Sequence, residues 1–166
     1  MTLLDAPVFN EARERRRREI LWGIIGGLFV LLVTFWLVAG RPVDWPWTWY
    51  THLRGRAAIN QFLKDIEKND LGGAYAVWIH DPEWQKHSGQ TGSYPFDRFQ
   101  QDWSPNSRDN EYGAIKTHKI VAARMSGNVL LIGIRINGLQ SKVLFLNYDP
   151  RSHALGFSPV ELYLGP

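Results

Sequence analysis

The chain has 166 residues, enough for one ordinary domain with appendages. Its 19 Lys+Arg against 16 Asp+Glu leave a charge of +3, too small and too dispersed to point to a nucleic-acid partner. The lack of cysteine excludes disulfides, zinc–thiolate sites and thiol nucleophiles, while eight Trp, eight Phe and six Tyr call for a core or an interface rich in rings.

Residues 1–19 read as a basic tail, with Arg13, Arg15, Arg16, Arg17 and Arg18 just ahead of an apolar run. From Ile20 to Ala39 twenty residues pass without an ionisable side chain, and thirteen of them are Leu, Ile, Val or Phe. As a helix this stretch would span about 30 Å, the hydrocarbon thickness of a bilayer. Its apolar residues favour insertion by about 4–8 kcal/mol in sum. The core helix of a soluble protein rarely stays apolar on every side for so long. A cleaved signal peptide has a shorter apolar region and a small-x-small site, which Leu37-Val38-Ala39 fits poorly. The segment therefore reads as an uncleaved signal anchor in the inner (plasma) membrane. The arginines ahead of it keep the N-terminus cytoplasmic and send the rest across, to the periplasm in a bacterium. The tail itself, RERRRRE, should extend the helix and set this topology, helped by anionic lipid.

Within the span, Gly23 and Gly27 form a G-x-x-x-G pair with Gly26 beside them, a candidate face for packing against another helix. Beyond it, residues 40–53 read as an aromatic juxtamembrane linker. Trp45, Trp47, Trp49 and Tyr50 alternate there with polar residues and proline, and are expected at the membrane–water interface. The expected partners are thus the lipid bilayer and other membrane protein subunits, with no nucleic acid.

The folded domain is expected over 54–166. Ile59, Phe62, Leu63 and Ile66 follow the i, i+3, i+4, i+7 spacing of an amphipathic helix. Asp70 suits the N-cap of a second helix carrying Leu71, Ala74, Tyr75 and Trp78. Asp81-Pro82 closes that helix or begins a turn, and residues 85–93 read as a loop. Pro95 then opens a third helix with Phe96, Phe99 and Trp103 on one side. Four strands follow: around Ile115–Met125, Val129–Ile136, Val143–Tyr148 and Leu155–Leu164. Ser126-Gly127-Asn128, Asn137-Gly138 and residues 149–152 supply the turns, and Asn-Gly is the pair most favoured in tight hairpins. The fold class is α+β: one transmembrane helix, then three helices packed on a four-stranded antiparallel meander sheet.

The run NQFLKDIEKNDLGGAYAVW, then PFDRFQQDW, then the meander resembles the nuclear-transport-factor-2-like (cystatin-like, cone-shaped) superfamily over roughly residues 54–164. The resemblance rests on element order and on the "ND" step and "AY" second helix, so it implies a fold more than an activity. Enzymes of that superfamily, such as ketosteroid isomerase, place carboxylates and histidines inside the cone. The acid/base groups available here are His80, Asp81, Asp97, Asp102 and His118, none of which falls at a spacing that forces two together. Tyr75, Trp78, Phe99 and Trp103 could line a pocket, although at helical spacing such rings are more often core. Five histidines are scattered without H-x-x-x-H or H-x-E spacing, and no glycine-rich phosphate loop or G-x-S-x-G occurs. No catalytic residue, metal site or cofactor is therefore expected. The superfamily also includes membrane-tethered assembly factors of type IV secretion systems, similar in layout but with a longer exported domain. The expected function is a membrane-anchored, noncatalytic interaction or accessory subunit. The alternative is a tethered binding domain or enzyme using the cone cavity.

Overall fold

The computed structural model describes residues 11–87, 94–139 and 142–159. It divides into two units, one ending at Val38 and one beginning at Ala39. The first unit is helix α1, Glu11–Val38, whose 28 residues bury no side chain. At 1.5 Å per residue it runs about 42 Å, and its apolar stretch makes it long and apolar enough to cross a membrane. The arginine-rich turns are continuous with the apolar ones, as anticipated, and Arg17 pairs with Glu14 at 3.6 Å.

The second unit is α+β. A short 3-10 turn over Pro46–Thr48 leads into α2, Trp49–Glu67. Helix α3, Leu71–Ile79, starts with the Asp70 carboxylate accepting the Gly73 N–H at 2.9 Å, the cap expected from the sequence. It stops where His80 turns left-handed, φ 56°. After a 3-10 turn at Trp84–His87 comes α4, Phe96–Trp103, with Pro95 in the N-cap position. Strands β1 (His118–Ser126), β2 (Val129–Ile136), β3 (Val143–Tyr148) and β4 (Leu155–Phe157) form one antiparallel sheet in the order β1-β2-β3-β4. The second and third strands have the expected limits. The first begins three residues later than expected, and the expected end of the fourth, from 160 onward, lies outside the described residues. Asn137 and Gly138, which follow β2, take φ 50° and 71°, the left-handed region that an Asn-Gly pair adopts readily.

Alternation builds the core. Leu130, Ile132, Ile134 and Ile136 of β2 and Leu144, Leu146 and Tyr148 of β3 are buried, as period-2 residues on one sheet face must be. The α2 stripe Ile59, Phe62, Leu63 and Ile66 joins them in the same cluster. Helix α2 packs on β1 and β2, α3 packs on α2 and β4, and α4 packs on α3. One point of close approach sets the seating of α2. A Cβ built on Gly55 would lie 2.7 Å from Leu130 Cδ2 and 3.0 Å from Tyr148 Cδ1, so only glycine lets the helix come this near the sheet.

The folded unit also begins earlier than the expected boundary at residue 54. Ala39 is fully buried, and α2 starts at Trp49, inside the stretch expected to be a linker.

Candidate functional site

The four rings named as pocket candidates, and more often core at such spacing, meet in the centre of the domain. Tyr75 and Phe99 are fully buried, and Trp78 and Trp103 nearly so. Phe62 stands among them, edge-on to Trp103 at 4.9 Å between centroids and tilted against Trp78 at 5.3 Å. Tyr75 meets Phe99 at 5.1 Å, and Phe157 lies parallel to Trp103 at 6.0 Å. Each such ring buries apolar area worth about 1.5–3 kcal/mol, and each edge-to-face pair adds about 0.5–1.5 kcal/mol. The interior at this level is aromatic packing, with the outer edges of Trp78 and Trp103 reaching surface clefts.

The acid–base residues are spread around this core. Asp102 accepts the Tyr94 hydroxyl at 2.8 Å and pairs with Arg98 at 2.9 Å. Burial first, and then the Asp102 charge, raise the Tyr94 phenol well above its ordinary range. Asp97 lies in the first turn of α4, where the helix dipole favours a negative charge. Asp81 accepts the Glu83 N–H at 2.9 Å and faces His87 Nδ1 at 2.8 Å, while the His80 ring lies tilted against that of His153. The two neighbours therefore diverge, as their adjacency implied. His118 is a fastener between β1 and α2, with Nδ1 2.7 Å from Glu67 and Nε2 3.1 Å from Asn60. No group of three or more potential metal ligands gathers among the described residues.

The juxtamembrane stretch is where the structure departs most from the sequence reading. Trp45 and Trp47 are 69% and 74% exposed, and their indoles stack at 5.0 Å, 5° from parallel. Tyr50 is also exposed and accepts a hydrogen bond from Arg54 at 2.8 Å. Trp49, expected with them at the membrane interface, is instead 8% exposed in the domain. The correction has a local cause. Trp49 opens α2 on its inward side, and its indole N–H donates to the Asp44 carbonyl at 3.0 Å.

Asp44 organises the rest of this stretch. Its Oδ2 receives both His52 Nε2 at 2.8 Å and the Met125 N–H of β1 at 3.0 Å. His52 is 1% exposed, and burial pushes its imidazole below the ordinary value of 6.5 against the opposing pull of Asp44. Nearby, the Arg56 side chain lies over Gly40, so closely that a Cβ there would fall 2.6 Å from its Cζ. Sequence reasoning missed Asp44 and His52 because an Asp eight residues before a His has no local signature. Only the return of β1 brings the third partner, Met125, alongside.

On α1, a Cβ built at Gly23, Gly26 or Gly27 meets nothing within 4 Å, so this side of the helix is open in the single chain. Arg13, Arg15, Arg16, Arg17 and Arg18 occupy its first turns. Comparisons with family models, with curated proteins and with solved structures found no match to this chain.

Proposed function

We propose that this chain is a single-pass, membrane-anchored accessory subunit that works by binding other proteins rather than by catalysis. In this reading α1 crosses the inner (plasma) membrane with its arginines in the cytoplasm. The α+β domain is exported and has a nuclear-transport-factor-2-like cone architecture. The observation that carries the noncatalytic reading is the ring packing of Phe62, Tyr75, Trp78, Phe99 and Trp103. It takes up the interior that an enzyme of the cone type would need for its acid and base. Asp102, His118 and His52 make structural bonds instead. An enzyme or binding domain using the cone interior would need the volume these rings fill.

The anchored reading draws further support from the exposed Trp45, Trp47 and Tyr50, amphipathic rings a few residues past the apolar helix. The open glycine side of α1 provides a surface on which a second membrane helix can pack closely. Native mass spectrometry of the full chain, extracted in mild detergent from its own cells, tests the proposal. The expected result is a discrete assembly containing the chain and at least one other protein in fixed ratio. Monomer alone, under conditions that keep known membrane complexes intact, would overturn it.

A further inference from the structure

A cleft of about 360 Å³ lies between α2 and α3, on the outside of the ring-filled core. This is within the ordinary size of small-ligand pockets. Its floor is made by small side chains, Ala57 and Ala58 from α2 and Ala76 and Val77 from α3, which leave a gap where larger residues would close the helix pair. Its polar rim is Arg54, Gln61, His80, Tyr148 and His153, and no lining residue is acidic. The carboxylates next in sequence are engaged elsewhere: Asp81 with Glu83 and His87, Asp149 with Arg151 and Ser152. Asp65 of α2 is covered by Gln61, which donates to both its oxygens at 3.0 and 2.9 Å.

The rim is arranged for donation. The Tyr148 hydroxyl lies 2.6 Å from His153 Nδ1. Burial raises the Tyr148 phenol against the opposing pull of Arg54. This contact engages Nδ1 of His153 and leaves Nε2 as the ring nitrogen that can meet a ligand. The His80 ring sits 5.1 Å from that of His153, and the fork of Arg54, engaged in part by Tyr50 and Tyr148, supplies further N–H donors. Both histidines hold left-handed backbones, φ 56° and 59°, positions that glycine fills with less strain. The fold thus places an imidazole at two points where the backbone alone would favour having no side chain.

The geometry points to this cleft as a binding site for a small molecule that carries an oxyanion, a carboxylate or phosphate, on a compact apolar body. The anion meets Arg54, His80 and His153, and the apolar part lies on the alanine floor. Charge-assisted, forked recognition by arginine is the physical basis of the selectivity for an anion. Such a group can arrive on a soluble molecule or on an anionic lipid head. The inference stands apart from the accessory-subunit reading, since it concerns the domain's outer surface.

The test uses the full chain in phosphatidylcholine nanodiscs, with isotope-labelled histidine side chains read by NMR. Benzoate and phenyl phosphate are the soluble probes, benzyl alcohol is the uncharged control, and phosphatidylglycerol added to the disc is the lipid arm. Saturable shifts of His80 and His153 with either soluble anion, but not with benzyl alcohol, are expected for a soluble source. Shifts appearing only with phosphatidylglycerol assign the lipid head. Arg54→Gln and His153→Asn are each expected to weaken binding by about tenfold, the loss of one charge-assisted hydrogen bond. Asn accepts a left-handed backbone, so the second variant preserves the turn even where the first fails to fold. An equal response to benzyl alcohol, no saturable response to any anion, or unchanged binding in a folded variant would overturn the assignment.

Discussion

Asp44 joins three parts of the chain through one carboxylate and one carbonyl: the start of α2 at Trp49, the buried His52, and the backbone of β1 at Met125. Removing the carboxylate leaves a buried imidazole and a strand N–H without their acceptor. Asp44→Ala is therefore expected to cost about 1–3 kcal/mol in denaturant unfolding. A loss near zero would mean the bonds are incidental. The same pair sets a pH dependence. Because burial holds His52 below its unfolded value of 6.5, the unfolded chain binds more protons than the native one in that range. Stability is complete above 6.5 and falls as the pH drops through the folded value, with Asp44 moderating the loss and Arg56 deepening it. Melting temperature is expected to fall between about pH 7 and pH 5, and more steeply than in His52→Gln. Equal slopes in the two proteins would remove His52 from the account.

Among the elements, α2 has the tightest fit. An exposed helical glycine replaced by alanine usually gains about 1 kcal/mol. At Gly55 the new methyl would meet Leu130 and Tyr148 inside contact distance, so Gly55→Ala is expected to destabilise by about 1–3 kcal/mol instead. A stabilised variant would show that α2 can lift from the sheet without penalty. The elements also show what a sequence conveys. Strands β2 and β3 were legible to the residue because alternation and an Asn-Gly turn are local signals. So was the Asp70 cap, three residues before the N–H it binds. Gly55, Asp44 and the His80–His153 pair were not legible, because each depends on a partner brought close by tertiary packing. The rings of Tyr75, Trp78, Phe99 and Trp103 lay between these cases: their spacing fixed the side of the helix they occupy, but not whether they enclose space or fill it.

At the level of the whole molecule, the arginines ahead of the apolar helix outweigh in density those that follow it. Replacing Arg15, Arg16, Arg17 and Arg18 by Gln is expected to weaken the preference for a cytoplasmic N-terminus. A C-terminal alkaline phosphatase fusion, active only outside the cytoplasm, reads this directly. The unaltered chain should be active, and the substituted one should lose activity as a fraction inserts the other way. An inactive fusion of the unaltered chain would reverse the proposed topology.

The stacked indoles of Trp45 and Trp47 have an optical consequence. Two such chromophores 5.0 Å apart and nearly parallel couple their electronic transitions. The chain should therefore carry a paired positive and negative band in its ultraviolet circular dichroism, lost when either residue becomes Phe. Because both rings are exposed, that band should change with the polarity of the medium against them while the buried rings stay silent. The protein would then carry its own label at the start of its folded unit.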